Sequence, residues 1–118
     1  MCIRTYLYGD GTGKGSHISV FFVVMKSEHD QLLSWPFKQK VTISLMNQDT
    51  PAEQFSHITE TFLPDPSSTS FRKPETEMNV ASGFPKFVKK SVLKDSRFVK
   101  GDTMYLRVRV DRTGLIPE

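Results

Sequence analysis

Hydrophobic and polar residues alternate with a period of two along much of this chain, the pattern of strands with one buried face. Ile3, Thr5 and Leu7 alternate with Arg4, Tyr6 and Tyr8, so the chain is expected to open inside a strand. His17–Met25 predicts a long strand, with Ile18, Val20, Phe22 and Val24 on one face and Ser19, Phe21, Val23 and Met25 on the other. Both faces are largely apolar, which places this strand at the centre of a sheet, covered on both sides. Lys40–Met46 sets Val41, Ile43 and Leu45 against Thr42 and Ser44, and Phe55–Leu63 is a weaker strand. Val80–Val88 is broken by Gly83 and Pro85, which suits an edge strand because proline has no N–H for a ladder. Met104–Val110 sends Met104, Leu106, Val108 and Val110 inward and Tyr105, Arg107 and Arg109 outward.

Turn chemistry fills the intervals. Gly9–Gly15 places a glycine at every second position and reads as a flexible reversal between strands. Asp49-Thr50-Pro51 and Leu63–Ser70 read as loops, and Lys100-Gly101-Asp102 turns into the last strand. Glu28–Leu33 can form one helical turn, and no longer amphipathic helix is present. Trp35-Pro36-Phe37 is expected to be a buried plug over one end of the fold. Six strands joined by such turns predict an all-β chain, an antiparallel β-sandwich in a single domain over residues 1–118.

Composition narrows the function. With 118 residues, 37% hydrophobic, the chain can bury one core, and collagen-like, coiled-coil and disordered classes are excluded. Cys2 is the single cysteine, which rules out an internal disulfide and cysteine-based zinc sites and suits a reducing compartment. No apolar run is long enough to span a membrane, and the N-terminus lacks the apolar segment and cleavage site of a signal peptide. The net charge of +3 is too small to argue for nucleic acid, and the basic segment Pro85–Lys90 reads as a solvated strand end.

Catalytic motifs fail on spacing. A phosphate loop needs a glycine where Tyr8 stands and a hydroxyl residue where Gly15 follows Lys14. A calcium loop starting at Asp10 meets Lys14 and ends at Phe21 instead of a glutamate. His17, His29 and His57 are too scattered for metal ligation, and no serine sits in a nucleophile elbow. No cofactor, metal site or catalytic set is expected.

Several separated stretches nevertheless resemble one family. They are Arg4–Gly13, Phe22–Met25 with Trp35-Pro36-Phe37, Ser68–Pro74, Met78–Gly83, and the closing Asp102–Leu106. In that order they resemble the C-terminal domain of the tumour-necrosis-factor-receptor-associated factors (TRAF), within the wider meprin-and-TRAF-homology (MATH) group. The Gly-Asp-Gly-Thr-Gly turn and the hydroxyl-rich loop before Phe71 favour the TRAF branch. The resemblance implies an eight-stranded sandwich, of which about six strands are visible here, with the first one or two expected to be missing before Met1. It implies a cytoplasmic, non-enzymatic adaptor for the tails of tumour-necrosis-factor-type receptors and for signalling adaptors. Relatives trimerise through an upstream coiled coil that this sequence lacks. Neither nucleic acid nor direct membrane insertion is implied.

The resemblance also implies a peptide site. Arg4 and Tyr6 share a strand face, and an arginine and a tyrosine hydroxyl two residues apart can converge on one carboxylate. In the family the matching pair holds an acidic residue of the peptide, with Asp10 and Gly11 matching adjoining contacts. Ser68, Thr69 and Ser70 match a hydroxyl cluster that grips a glutamine. Phe21, Ile43, Phe62 and Phe71 match the walls of a small apolar pocket. Ser82 and Gly83 match the edge backbone along which the peptide runs. Taken singly, these residues read as core, solvated charge or polar loop; their joint order carries the reading. Phe84 replaces a cysteine common beside the pocket, Thr69 replaces a serine, and Asn47–Phe55 is a longer connection than in some relatives. The alternative is a MATH domain that recruits Ser/Thr-rich substrates to a ubiquitin ligase or protease.

Overall fold

The computed structural model describes residues 1–49 and 57–112. Among these residues there are six strands: Cys2–Tyr6 (β1), His17–Val23 (β2), Val41–Leu45 (β3), Ile58–Phe62 (β4), Ser82–Lys89 (β5) and Leu106–Val110 (β6). Helical structure among the described residues is confined to short 3-10 turns, one of them at Asp30–Leu32 within the predicted turn. The strands form two antiparallel sheets in the orders β1-β2-β5 and β4-β3-β6.

The most apolar strands sit at the centres. β2 and β3 each have a neighbour on both sides, and Ile18, Val20, Phe22, Val41, Ile43 and Leu45 are all sealed from solvent. Burying each such side chain contributes roughly 1.5–3 kcal/mol, so this layer dominates the stability of the fold. Phe22 joins the core to the loops, with its ring stacked 5.4 Å from Phe37 and edge-on 6.0 Å from Phe62. Trp35 and Phe37 pack half-buried against the core, and the Trp35 indole donates to the Asp30 carbonyl at 2.8 Å.

Two strands start later than expected. β5 starts at Ser82 and runs to Lys89; Val80 lies outside it and is 66% exposed. The preceding residues still follow the sheet, through a Met25–Met78 bridge and a bond from Asn79 N–H to the Val24 carbonyl at 2.9 Å. β6 starts at Leu106, two residues later than expected. Val108 shares the inward register, opposite Ile43, yet is 36% exposed because β6 is an edge strand. The start of the fourth predicted strand, at Phe55, and most of the loop before it lie outside the described residues.

The glycine-rich reversal is ordered. Gly9 has φ +85°, and a Cβ there would strike the Gly13 carbonyl, so only glycine fits. Gly13 is buried against β5, where a Cβ would run into the Pro85 carbonyl. The turn after β1 is thereby pressed onto the far strand of the same sheet.

Candidate functional site

Among the described residues β5 pairs only with β2, so the backbone groups on its other side are free of strand partners. Two cross-strand rows lead to that edge: Arg4–Phe21–Gly83 and Ile3–Phe22–Ser82. Adjacent strands are about 4.8 Å apart, so the Arg4 backbone lies roughly 10 Å from Gly83 across the sheet. Phe21 sits between them, half-buried, with the Tyr6 ring edge-on at 5.8 Å. Arg4 Nη2 donates to Met78 Sδ at 3.1 Å.

Local sequence fixes the edge. A Cβ on Gly83 would come within 2.5 Å of the Val20 carbonyl, so glycine lets β5 approach β2 closely. The register then slips between Ile18 and Val20: β5 bulges, with Pro85, Lys86 and Phe87 set against the single residue Ser19 of β2. Ser19 is wholly buried; its hydroxyl donates to the Pro85 carbonyl at 2.6 Å and accepts from Asp10 N–H at 2.8 Å. One side chain thus satisfies the irregular position opposite a proline and ties it to the glycine turn.

Beside the Ser82–Gly83 edge opens a cavity of about 300 Å³, lined by Phe62, Leu63, Asp65, Ser68, Phe71, Ser82 and Gly83. Phe62 and Phe71 form its apolar side, their ring centres 5.9 Å apart. Phe71 is held from behind: Asn79 Nδ2 donates to the carbonyls of Ser70 at 3.2 Å and Arg72 at 2.7 Å. On the polar side Asp65 Oδ1 accepts from the Ser67 N–H at 2.9 Å and the Ser67 hydroxyl at 2.8 Å. These bonds, the backbone one first, hold the Asp65 carboxyl below its usual range, so it stays anionic. Ser68 Oγ accepts from Ser70 N–H at 3.1 Å.

The structure therefore brings Phe62, Ser68, Phe71, Ser82 and Gly83 around one cavity, with Arg4, Tyr6 and Phe21 on the adjoining sheet face. Asp10 and Gly11 lie in the turn beyond, exposed and off the cavity lining. Thr69 is exposed and Ser70 buried, and neither lines the cavity, because the turn sends successive hydroxyls in different directions. Ile43, expected as a wall, and Phe84, expected beside the pocket, are placed differently. Ile43 is 0% exposed on the central strand of the opposite sheet, so it supports the core and presents no surface to a ligand. Phe84 pairs with buried Val20, which turns its ring inward, 5.9 Å from Phe62 and 6.2 Å from Phe87. It backs a wall rather than forming one.

Leu63 and Asp65 line the cavity and were not anticipated from sequence. An aspartate followed by proline and serines is a turn signal that could have pointed to Asp65. Nothing in the sequence marks Asn79 or Ser19 as ties, since both depend on distant carbonyls. Among the described residues no cluster of His, Cys, Asp and Glu could hold a metal, and no helix is long and apolar enough to cross a membrane.

Comparison with known proteins gives this geometry a family. Residues 1–107 match the family described as TRAF/meprin, MATH domain. Over 117 residues the chain is 51% identical to TNF receptor-associated factor 5 of Mus musculus, covering 98% of this chain and 20% of that protein. It is 49% identical over 117 residues to TNF receptor-associated factor 2 of Homo sapiens, covering 98% and 22% respectively. The solved structure of Notothenia coriiceps TRAF5 matches with a TM-score of 0.87 and 39% identity, over 98% of this chain and 57% of that one. The chain spans about a fifth of the length of these curated relatives. Its strand order, its glycine turn and its similarity over nearly every residue agree, and the chain belongs to the TRAF/meprin MATH-domain family, on the TRAF side.

Proposed function

We propose that this domain is a non-enzymatic signalling adaptor that receives a short, extended acidic peptide along the free edge of β5. The observation that carries this reading is the combination at that edge: unpaired backbone, an adjoining cavity of about 300 Å³, and a cross-strand row ending in Arg4. Edge addition supplies backbone hydrogen bonds whatever the peptide sequence, while side-chain sites supply choice. Arg4 and the Tyr6 hydroxyl suit a peptide carboxylate. The cavity end is different in sign, because ionised Asp65 disfavours a second acid and accepts from a donor such as a glutamine amide or a hydroxyl. The peptide would therefore bind in one direction, with its acid toward Arg4 and its glutamine toward Ser68 and Asp65.

The partners that fit are the cytoplasmic tails of receptors of the tumour-necrosis-factor type and the adaptors associated with them. In its full-length setting the domain would act in the cytoplasm as a homotrimer built by an upstream coiled coil, so that avidity strengthens weak single contacts. The test is an amide chemical-shift titration of the chain with an acidic glutamine-containing peptide. Saturable shifts at Ser82 and Gly83, lost with Arg4→Ala and kept with Arg107→Ala, are the expected result. Shifts confined to the β4-β3-β6 sheet would place the site on the wrong side of the sandwich.

A further inference from the structure

A second cavity, of about 400 Å³, lies on the other sheet, lined by Lys40, Thr42, Arg109, Val110, Asp111 and Arg112. Its floor is built from the β3–β6 pair, where Thr42 stands opposite Arg109 and Ser44 opposite Arg107. Arg107 and Arg109 are alternate residues of β6, so they share the face that Thr42 and Ser44 occupy, away from the Val41–Ile43–Leu45 core face. The frame is fixed beyond the strand ends as well. Asp111 N–H donates to the Lys40 carbonyl at 2.9 Å, and Gln39 Nε2 donates to the Asp111 carbonyl at 2.7 Å.

The charge on this face is one-sided. Lys40, Arg109 and Arg112 line the cavity and Arg107 adjoins it, and Asp111 is the one carboxylate in the lining among the described residues. Among the described residues no ion pair engages any of these four cations. Arg107 Nε is sealed from solvent with no acceptor, an unmet donor at the next position along the strand. Thr42 and Val110 complete the lining; the Thr42 hydroxyl shares a bond with Thr61 at 3.1 Å, and beyond the cavity Ser44 shares one with Thr59 at 2.9 Å. Like charges gathered on a rigid frame repel one another, and a bound anion removes that cost.

We propose that this cavity binds a small, multiply phosphorylated anion, such as an inositol polyphosphate, free or as a lipid headgroup. Guanidinium groups match phosphate in planar forks, a lysine adds a point charge, and the threonine hydroxyl completes a donor set. The cations extend from Arg109, opposite Thr42, past Lys40 to Arg112, a run of three chain positions or about 10 Å. One phosphate cannot satisfy them together, whereas a ligand with two or more phosphates can. The cavity volume is in the range of small-ligand sites. This site lies on the opposite sheet from the β5 edge, so a ligand here does not overlap a peptide there.

The experiment is calorimetric titration of the chain with inositol hexakisphosphate and, separately, inorganic phosphate. A flotation assay compares phosphatidylcholine vesicles with and without phosphatidylinositol bisphosphate. Saturable binding of the inositol phosphate, weak response to inorganic phosphate and loss of about tenfold or more in the Arg109→Gln/Arg112→Gln variant are expected. Lys86→Gln/Lys89→Gln, basic residues of β5, serves as the control and should bind like wild type. Binding to the bisphosphate vesicles as well identifies a lipid-borne headgroup, and its absence identifies the soluble anion. An equal loss in the β5 control, or no saturable binding to any probe, overturns the proposal. Should the double variant melt early, Arg109→Lys provides the second test: it keeps the charge, loses the fork, and is expected to weaken binding without altering the melt.

Discussion

Arg4 Nη2 donates to Met78 Sδ at 3.1 Å, joining β1 to the segment that leads into β5. A thioether is a weak acceptor, so the contact orients the guanidinium without neutralising it. Arg4 is thus held on the sheet face with its charge available to a peptide carboxylate. Replacing it with alanine should weaken an acidic peptide about tenfold to a hundredfold, since a charged hydrogen bond contributes roughly 1.5–3 kcal/mol. Met78→Leu keeps the bulk and removes only the acceptor, and a loss of no more than a few-fold is expected. A double-mutant cycle checks the link: Met78→Leu should have no further effect once Arg4 is alanine. Equal losses in both backgrounds would show that Met78 contributes on its own.

Ser19 illustrates a different kind of dependence. Its buried hydroxyl serves the Pro85 carbonyl and the Asp10 N–H together. Ser19→Ala leaves both without that partner in a site closed to solvent, so destabilisation of about 1–3 kcal/mol is expected by denaturant unfolding. Ser16→Ala, an exposed hydroxyl in the same turn, should change stability little.

Gly13→Ala should be as damaging for a steric reason. The added methyl would meet the Pro85 carbonyl, and the glycine turn would have to lift from β5. Overpacking of this kind costs about 1–3 kcal/mol. Because β5 carries the free edge, peptide affinity should fall along with the melting temperature. An unchanged melt would show that the turn yields without strain.

Much of this fold was readable because two-residue periodicity reports burial directly. Val41, Ile43 and Leu45 alternate with Thr42 and Ser44, and β3 takes that register at the sheet centre. His17–Met25 is apolar on both faces, and β2 is the central strand. The outer strands were less legible, since exposure there depends on position in the sheet: Val108 has an inward register and is still 36% exposed. The site divides in the same way. The family resemblance assigned Phe62, Ser68, Phe71, Ser82 and Gly83 to a peptide site, and these five residues line one cavity. Side-chain direction was not readable for Phe84, because it depends on pairing with Val20 across a bulge. Nor was Asp65, whose role comes from a turn that closes only in three dimensions.

Asp65 gives a pH signature. Its folded-state pKa is lowered by the Ser67 N–H and hydroxyl, so its contribution to stability is present above the unfolded-state pKa. That contribution is lost as pH falls through the folded-state value, below the usual aspartate range. Carbon-detected NMR titration should find the Asp65 carboxyl still ionised in acid within the usual aspartate range. In Ser67→Ala the hydroxyl bond is gone and the backbone bond remains, so the titration should move part of the way back. No movement would assign the whole effect to the backbone.

Phe84→Cys separates packing from recognition. The ring lies behind Phe62, 5.9 Å away, and in contact with Phe87 at 6.2 Å, so its loss leaves a void inside the sandwich. Phenylalanine truncation in a core typically costs about 3–5 kcal/mol, and the half-buried position and the retained sulfur reduce this to roughly 2–4 kcal/mol here. Stability should therefore fall whether or not peptide is present. Recognition should change only through Phe62, which can sink into the void and enlarge the cavity that it lines. A substitution array is then expected to gain tolerance for larger side chains at the one peptide position that meets Phe62, with preferences at the Arg4 end unchanged. Filling the void from another direction tests the cause: Phe84→Leu restores most of the apolar volume and should recover stability and the original narrow preference together. If instead the array is identical for Phe84→Cys and wild type while the melt drops, Phe62 is held in place by Phe22 and Phe71 alone, and Phe84 bears only on folding.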